Sequence, residues 1–235
     1  MPEHTLKQFD AELEAIRARV LQMGGLVEEQ IVRAMEGLAT GNSQIAVRVV
    51  DDDHKVNGLE VAIDEECSTI IARHQPAAVD LRTLMMVVKT ITDLERIGDE
   101  AAKIARMTQL IYEADRPFVP RTNEIRHMAD IALVMLRNSF DAFARLDLTV
   151  AARVVRQDDR VDDAFRAILR QLITFMMEDP RTISHAIEIL FIAKAIERIG
   201  DHAKNMSEYV VYMVKGKDVR HTGPEGVERE ALTQH

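Results

Sequence analysis

The chain has 235 residues, of which 47% are hydrophobic and only 4% aromatic, with no tryptophan. This balance favours helices packed on helices, because β-strands prefer aromatic and β-branched residues. The formal net charge of −9 argues against a nucleic-acid partner, because binding to a phosphate backbone depends on clustered lysine and arginine.

Helical periodicity is nearly continuous, and its few interruptions predict six helices. Glycine, asparagine and proline mark the breaks, at Gly41-Asn42, Pro76, Pro117, Pro120 and Asp179-Pro180. The predicted helices cover approximately Thr5–Ala39, Ser43–His74, Val79–Ala114, Thr122–Leu146, an apolar stripe from Val150 to Phe175, and Arg181–Lys215. Because the connections are short, neighbouring helices should be antiparallel, in an up-down-up order that occurs twice.

The second half of the chain repeats the first. A shift of 102 residues places Glu95-Arg96-Ile97-Gly98-Asp99 on an identical pentapeptide that begins at Glu197. Two unrelated amphipathic helices would share apolar spacing but not five identical residues. We therefore predict an all-α protein made by internal duplication, with tandem three-helix bundles over residues 1–116 and 117–215 and a mobile polar tail over 216–235.

The first helical hairpin should bring acidic residues together. In an antiparallel hairpin, residues equally distant from the turn lie side by side, and Pro76 marks this turn. Asp53 and Asn57 on the second helix are then level with Asp99 and Glu95 on the third. The spacing of Glu95 and Asp99 places both carboxylates on one helix face.

The second hairpin repeats this arrangement around Pro180. Asp158 and Asp162 on the fifth helix should be level with Asp201 and Glu197 on the sixth. Asp53 and Asp158 fall in gaps of the apolar stripes on their helices, and Glu95 and Glu197 continue apolar lines on theirs. These carboxylates should therefore be partly desolvated and should repel one another. Such a group takes up protons, pairs with basic residues or holds a cation.

Oxygen donors with few histidines and no cysteine suit Mg²⁺, Ca²⁺, Mn²⁺ or iron. Gly98 and Gly200 recur inside the two motif helices, where a side chain would obstruct the close approach of a metal or a helix. The alternative is a solvated acidic face paired with Arg96 and Arg198. His54 and His202 are weaker ligand candidates, because adjacent helical residues point about 100° apart.

Three features together carry a resemblance to a known family. The stretch Gln75-Pro76-Ala77-Ala78-Val79-Asp80-Leu81-Arg82, the two Glu-Arg-Ile-Gly-Asp motifs and the paired three-helix layout resemble the PhoU family over about Phe9 to Lys215. This resemblance implies a cytoplasmic accessory protein of the high-affinity phosphate ABC transporter. It implies negative regulation of phosphate uptake and of phosphate-regulon signalling, through the transporter ATPase subunit and a phosphate-sensing histidine kinase.

The resemblance also implies a homodimer and metal sites at the E(D)xxxD motifs, holding iron, manganese, magnesium or zinc. By position, these motifs are Glu95/Asp99 and Glu197/Asp201, with Asp53 and Asp158 as matching acids on the preceding helices. Asn57 stands where the second repeat has Asp162, so the first site is expected to carry one charge less and equal occupancy of the two is not expected.

No Gly-rich phosphate loop, nucleophile elbow or zinc-protease motif is present, so we expect no enzyme and no catalytic residues. Two alternatives stay open: a metal-dependent hydrolase or oxidase that uses the carboxylates, and a purely structural helical scaffold. The polar N-terminal stretch and the absence of an apolar run of about 20 residues lead us to expect a cytoplasmic protein, peripheral to the membrane through partners only.

Overall fold

The computed structural model describes the backbone of residues 2–113 and 122–233, and the side chains of 7–113 and 123–233. These residues form helices α1 (Pro2–Thr40), α2 (Ser43–His74), α3 (Ala78–Glu113), α4 (Thr122–Arg145), α5 (Leu148–Glu178), α6 (Ile183–Lys215) and α7 (Gly223–Leu232). A single 3₁₀ turn, Pro180–Thr182, precedes α6. The all-α prediction is confirmed, and the six predicted helices occur in the predicted order. The predicted boundary between the bundles, at 116/117, lies outside the described residues.

The prediction for the tail is wrong. Residues 223–232 form α7, which packs on α5 and α6. Val227 and Ala231, one turn apart, are buried together with Val219 of the preceding loop. Three apolar side chains were too few to give a periodic signal in the sequence, yet they suffice to dock one short helix against a surface that already exists.

The two repeats begin their second helices in the same way. The Asn42 side chain accepts a hydrogen bond from the Gln44 N–H at 3.0 Å, and Asp147 accepts from the N–H groups of Thr149 and Val150 at 2.9 and 3.0 Å. These caps satisfy donors that have no partner within the helix. The duplication therefore extends to the local signals that start α2 and α5.

Helices α3 and α6 run antiparallel through the middle of the molecule. Asp93 meets His202, whereas Glu100, seven residues further along α3, meets Arg198, which is earlier on α6. Helices α1 and α2 pack on α3, and α4 and α5 pack on α6. Helices α3 and α6, which carry the two Glu-Arg-Ile-Gly-Asp motifs, thus each contact both their own repeat and the other repeat. None of the described helices combines the length and hydropathy required to cross a membrane.

Candidate functional site

The first acidic cluster consists of Asp53 on α2 with Glu95 and Asp99 on α3. A Cβ atom added to Gly98 would lie 3.2 Å from Asp53 Oδ1 and 3.2 Å from Gln30 Oε1. Asp53 is therefore packed directly against the motif turn of α3, which confirms the predicted register at this level. Gly98 leaves the space that the Asp53 carboxylate occupies, because a side chain at this position would displace Asp53 Oδ1 and Gln30 Oε1.

The carboxylates of the first cluster have no direct cationic partner. Burial raises the pKa of Asp53, and the nearby Asp99 charge raises it further, although Gln30 donates a hydrogen bond at 3.3 Å. Burial likewise raises the pKa of Glu95, again with Asp99 adding to the effect. Within the described part of the chain, no lysine, arginine or histidine forms an ion pair with Asp53, Glu95 or Asp99.

Two neighbours complete the description of the first cluster. The Gln30 Oε1 atom is buried and accepts no hydrogen bond, so it is an oxygen with unused capacity facing Asp53. Asn57, by contrast, is exposed, and so is Asp99. The cluster thus has a buried end at Gln30 and Asp53 and a solvent-facing end at Asp99.

The second acidic cluster consists of Asp158 and Asp162 on α5 with Glu197 and Asp201 on α6. Lys204 donates to Asp158 Oδ2 at 2.6 Å, and Asp158 is only 5% exposed. A second lysine, Lys194, lies 2.6 Å from both oxygens of Glu197.

Burial and neighbouring charges act differently on the individual acids of the second cluster. Burial, followed by the charges of Glu197 and Asp158, raises the pKa of Asp201 to about 6. Burial also raises the pKa of Asp158, although the hydrogen bond from Lys204 opposes this effect. Asp162 is paired with Arg166 at 3.3 Å. Three of the four acids are therefore already bound by basic side chains of the same repeat.

The lysines are the functional residues that the motif analysis missed. By the 102-residue shift, Lys194 corresponds to Thr92 and Lys204 to Ala102, so the first repeat lacks both ammonium groups. The signal was present in the aligned repeats, but it lies outside the identical pentapeptide. The expectation that Asn57 makes the first site the weaker one counted only carboxylates; with the lysines included, the first cluster carries the less compensated charge.

The two motif glycines also differ. A Cβ at Gly200 would meet only Val161, at 3.4 Å or more, which is an ordinary van der Waals contact. The predicted obstruction thus holds at Gly98 and not at Gly200, because Val161 rather than a carboxylate faces the second motif.

The arginines and histidines next to the motifs point elsewhere. Arg198 pairs with Glu100 at 2.8 Å and Arg96 lies 3.9 Å from Asp93, so neither forms the ion pair with its own motif that the alternative required. The Arg96 charge only opposes the rise that burial causes in the pKa of Glu95. His202 is buried between α3 and α6, with Nδ1 2.8 Å from Asp93 Oδ1, where it joins the two repeats. His54 lies against the backbone oxygen of Asp51.

The atoms that the first cluster offers are of the type that a hard cation prefers. Asp53, Glu95, Asp99 and the unpartnered Gln30 Oε1 all offer oxygen atoms, and among the described residues only basic side chains beyond ion-pair distance oppose the repulsion between the carboxylates. As the described side chains stand, no three His, Cys, Asp or Glu residues are grouped closely enough to hold an ion. The second cluster fits less well, because its lysines occupy the oxygens that a metal would use.

Comparison with known proteins places this arrangement in a family. The PhoU domain model matches residues 20–108 and 125–210, one stretch in each three-helix unit. The chain is 47% identical over 231 residues to a phosphate-specific transport system accessory protein PhoU homolog from Burkholderia sp, covering 98% of both chains. It is 44% identical over 227 residues to the accessory protein PhoU of Escherichia coli K12, covering 97% of this chain and 93% of that protein.

Two solved structures share the fold. The crystal structure of PhoU from Pseudomonas aeruginosa superposes with a TM-score of 0.85 at 45% identity, covering 89% of this chain and all of that one. The phosphate transport system regulatory protein PhoU from Streptococcus pneumoniae superposes with a TM-score of 0.83 at 28% identity, covering 90% and 99% of the two chains.

Proposed function

The chain belongs to the PhoU family, and on that premise we propose that it is an accessory protein that regulates a phosphate-specific transport system. The observation that carries this proposal is the similarity to accessory proteins of that system over 98% of the chain. We propose that it restrains phosphate uptake and the expression of phosphate-regulon genes. Its partners would be the transporter ATPase subunit and a phosphate-sensing histidine kinase, reached from the cytoplasm.

The architecture supports a regulatory role through binding. Helices α3 and α6 pack against each other in the middle of the molecule. A partner that moves one repeat would therefore act directly on the other. The Asp93–His202 and Glu100–Arg198 pairs tie the repeats together along this centre. A regulator of this kind shifts the population of a partner's states and needs no bond-breaking step. Homodimerisation is part of the proposal and would be checked by light scattering.

A deletion experiment tests the proposed role. Deleting the gene in its host should make phosphate-scavenging genes constitutive, and reintroducing the chain should restore repression when phosphate is plentiful. Normal repression in the deletion strain would refute the role.

We further propose that the first cluster holds a hard cation through Asp53, Glu95 and Asp99, with Gln30 as an additional oxygen donor. A bound cation would supply the positive charge that this cluster lacks and would join α2 to α3. The raised pKa of Glu95, which burial and the Asp99 charge cause, and the unpartnered Gln30 oxygen support this proposal. The second cluster would bind more weakly, since Lys194 and Lys204 already neutralise it.

The proposal excludes catalysis by the clusters. Purified protein loaded with Mn²⁺ or iron should show no phosphatase or oxidase turnover above a Glu95→Ala/Asp99→Ala control. Turnover that depends on these residues would replace the regulatory proposal with the alternative of a metal-dependent enzyme.

A further inference from the structure

A cavity of about 400 Å³ lies outside both acidic clusters, where the first turns of α3 meet the last turns of α6. The loop between α6 and α7 closes one side of it. Its polar lining consists of Arg82, Lys89, Glu208, Tyr209, Tyr212 and the ion pair of Asp218 with Arg220, and its apolar lining includes Leu81 and Met85. The cavity therefore exists only because the two repeats and the C-terminal loop are packed together.

Two cations line this cavity without a carboxylate within ion-pair distance, although Lys89, after Arg220, contributes to the lowered pKa of Asp218. The Arg82 guanidinium carbon lies 5.7 Å from the centre of the Tyr212 ring, and Lys89 Nζ lies 5.7 Å from the centre of the Tyr209 ring. Among the described residues, neither cation forms an ion pair, whereas Arg220 donates to Asp218 at 3.0 Å. Tyrosine rings orient a cation but do not neutralise it.

Arg82 is held in a defined place. Its Nε atom is fully buried and has no hydrogen-bond acceptor. Its guanidinium packs on Gly216 at the C-terminal end of α6, where an added Cβ would overlap Nη1. A buried charged donor with no acceptor is costly, so the position is one that an anionic acceptor would complete.

Glu208 supplies a third polar group to the cavity. It is 8% exposed and forms no ion pair among the described residues. Burial raises its pKa to about 7, with Lys204 and Arg220 opposing the shift and Asp158 and Asp218 adding to it. Near neutral pH a substantial fraction of the Glu208 carboxyl groups is protonated and can donate a hydrogen bond to an anion.

We propose that this cavity binds a small phosphate-bearing anion, whose phosphate pairs with Arg82 and Lys89. A phosphate dianion matches two unpaired cations, and its several oxygens can also accept from Glu208. The volume is within the range of small-molecule pockets, about 300–1,000 Å³. This inference goes beyond the proposed regulatory function, because binding would need neither the transporter nor the kinase.

Calorimetry on the purified full-length chain tests the proposal, with inorganic phosphate and AMP as separate probes. Saturable binding at one site per chain is expected for at least one probe, and it should weaken as salt is added. Binding of inorganic phosphate identifies the free ion as the ligand, and preference for AMP identifies a phosphate ester that also uses the tyrosine and methionine walls. No saturable binding of either probe would overturn the proposal.

Variants locate the binding site. Arg82→Gln/Lys89→Gln should weaken binding at least about tenfold, because two charge-assisted contacts are lost. The matched control Arg153→Gln/Arg170→Gln removes the same charge from exposed positions on α5 and should change binding less than about twofold. Equal losses in the two variants, or none in the first, would overturn the proposal.

Folding is checked by circular dichroism before titration. If Arg82→Gln/Lys89→Gln does not fold, the single variant Lys89→Gln is titrated instead. Lys89 is half-buried, and its substitution should weaken binding at least about threefold. Retained wild-type affinity in that variant would overturn the proposal. Because this binding test uses purified protein, a negative result would not change the outcome of the gene-deletion test of the regulatory role.

Discussion

The two acidic clusters share an identical motif but differ in the charges that surround it. Both repeats place Glu-x-x-x-Asp opposite an aspartate on the preceding helix. In the second repeat, Lys194 and Lys204 bind Glu197 and Asp158, whereas the first repeat has no lysine at either equivalent position. An identical pentapeptide therefore does not define an equivalent site, because the net charge depends on residues outside the motif.

The largest expected effect separates the clusters by metal binding. Glu95→Ala/Asp99→Ala should abolish binding of a Mn²⁺ ion that the wild-type chain retains, because it removes two of the three carboxylates. Glu197→Ala/Asp201→Ala should leave that ion bound. Metal content after gel filtration and titration calorimetry measure both variants. Identical behaviour of the two would remove the distinction between the clusters.

The next effect concerns the ion pair between Lys204 and the buried Asp158. Lys204→Met should lower the free energy of unfolding by about 3 kcal/mol, because Asp158 is left buried without its partner. Lys194→Met is the matched control: the Lys194 side chain is nearly half exposed, so the loss should be below about 1 kcal/mol. Urea denaturation measures both, and equal losses would contradict the difference in burial.

A third effect concerns Glu208, which stands where the first repeat has Arg106. Its carboxyl has a pKa of about 7 in the folded chain, against an ordinary value of 4.5. The folded state therefore binds the proton more tightly, and the wild-type chain loses stability as pH rises from about 4.5 to 7. Glu208→Gln should be more stable by about 2 kcal/mol at pH 8, with the gain absent near pH 4.

Thermal or urea unfolding across this pH range provides the measurement for Glu208. Glu225→Gln, on the exposed surface of α7, is the control and should leave the pH profile unchanged. A gain that does not depend on pH would assign the effect to packing rather than to ionisation.

The smallest expected effect makes the first cluster resemble the second. Thr92→Lys places an ammonium group three residues before Glu95, as Lys194 precedes Glu197. Cation binding should weaken about threefold to fivefold, since an exposed ion pair is worth about 1 kcal/mol or less. Thr92→Met, with similar bulk and no charge, should bind the cation as the wild type does. A loss in both variants would show that bulk, not charge, is responsible.

Much of the fold could be predicted because its signals are local. Pro76 and Pro180 interrupt the helical pattern where the two hairpins turn, and helices of regular rise then determine which residues are level. Asp53 lies against Gly98 for this reason. Helix α7 could not be predicted in the same way, since its two buried apolar residues, with Val219 of the preceding loop, pack only against the completed surface of α5 and α6.

The sequence by itself determined the helices, the duplication and the level at which the acids meet, because backbone hydrogen bonding and apolar spacing repeat along the chain. The tertiary structure decided which acids are neutralised. Lysine and arginine side chains are long and flexible, so their partners depend on which helices lie within reach. It also decided where Arg82 and Lys89 lie without an ion pair, because that cavity is formed by segments more than a hundred residues apart.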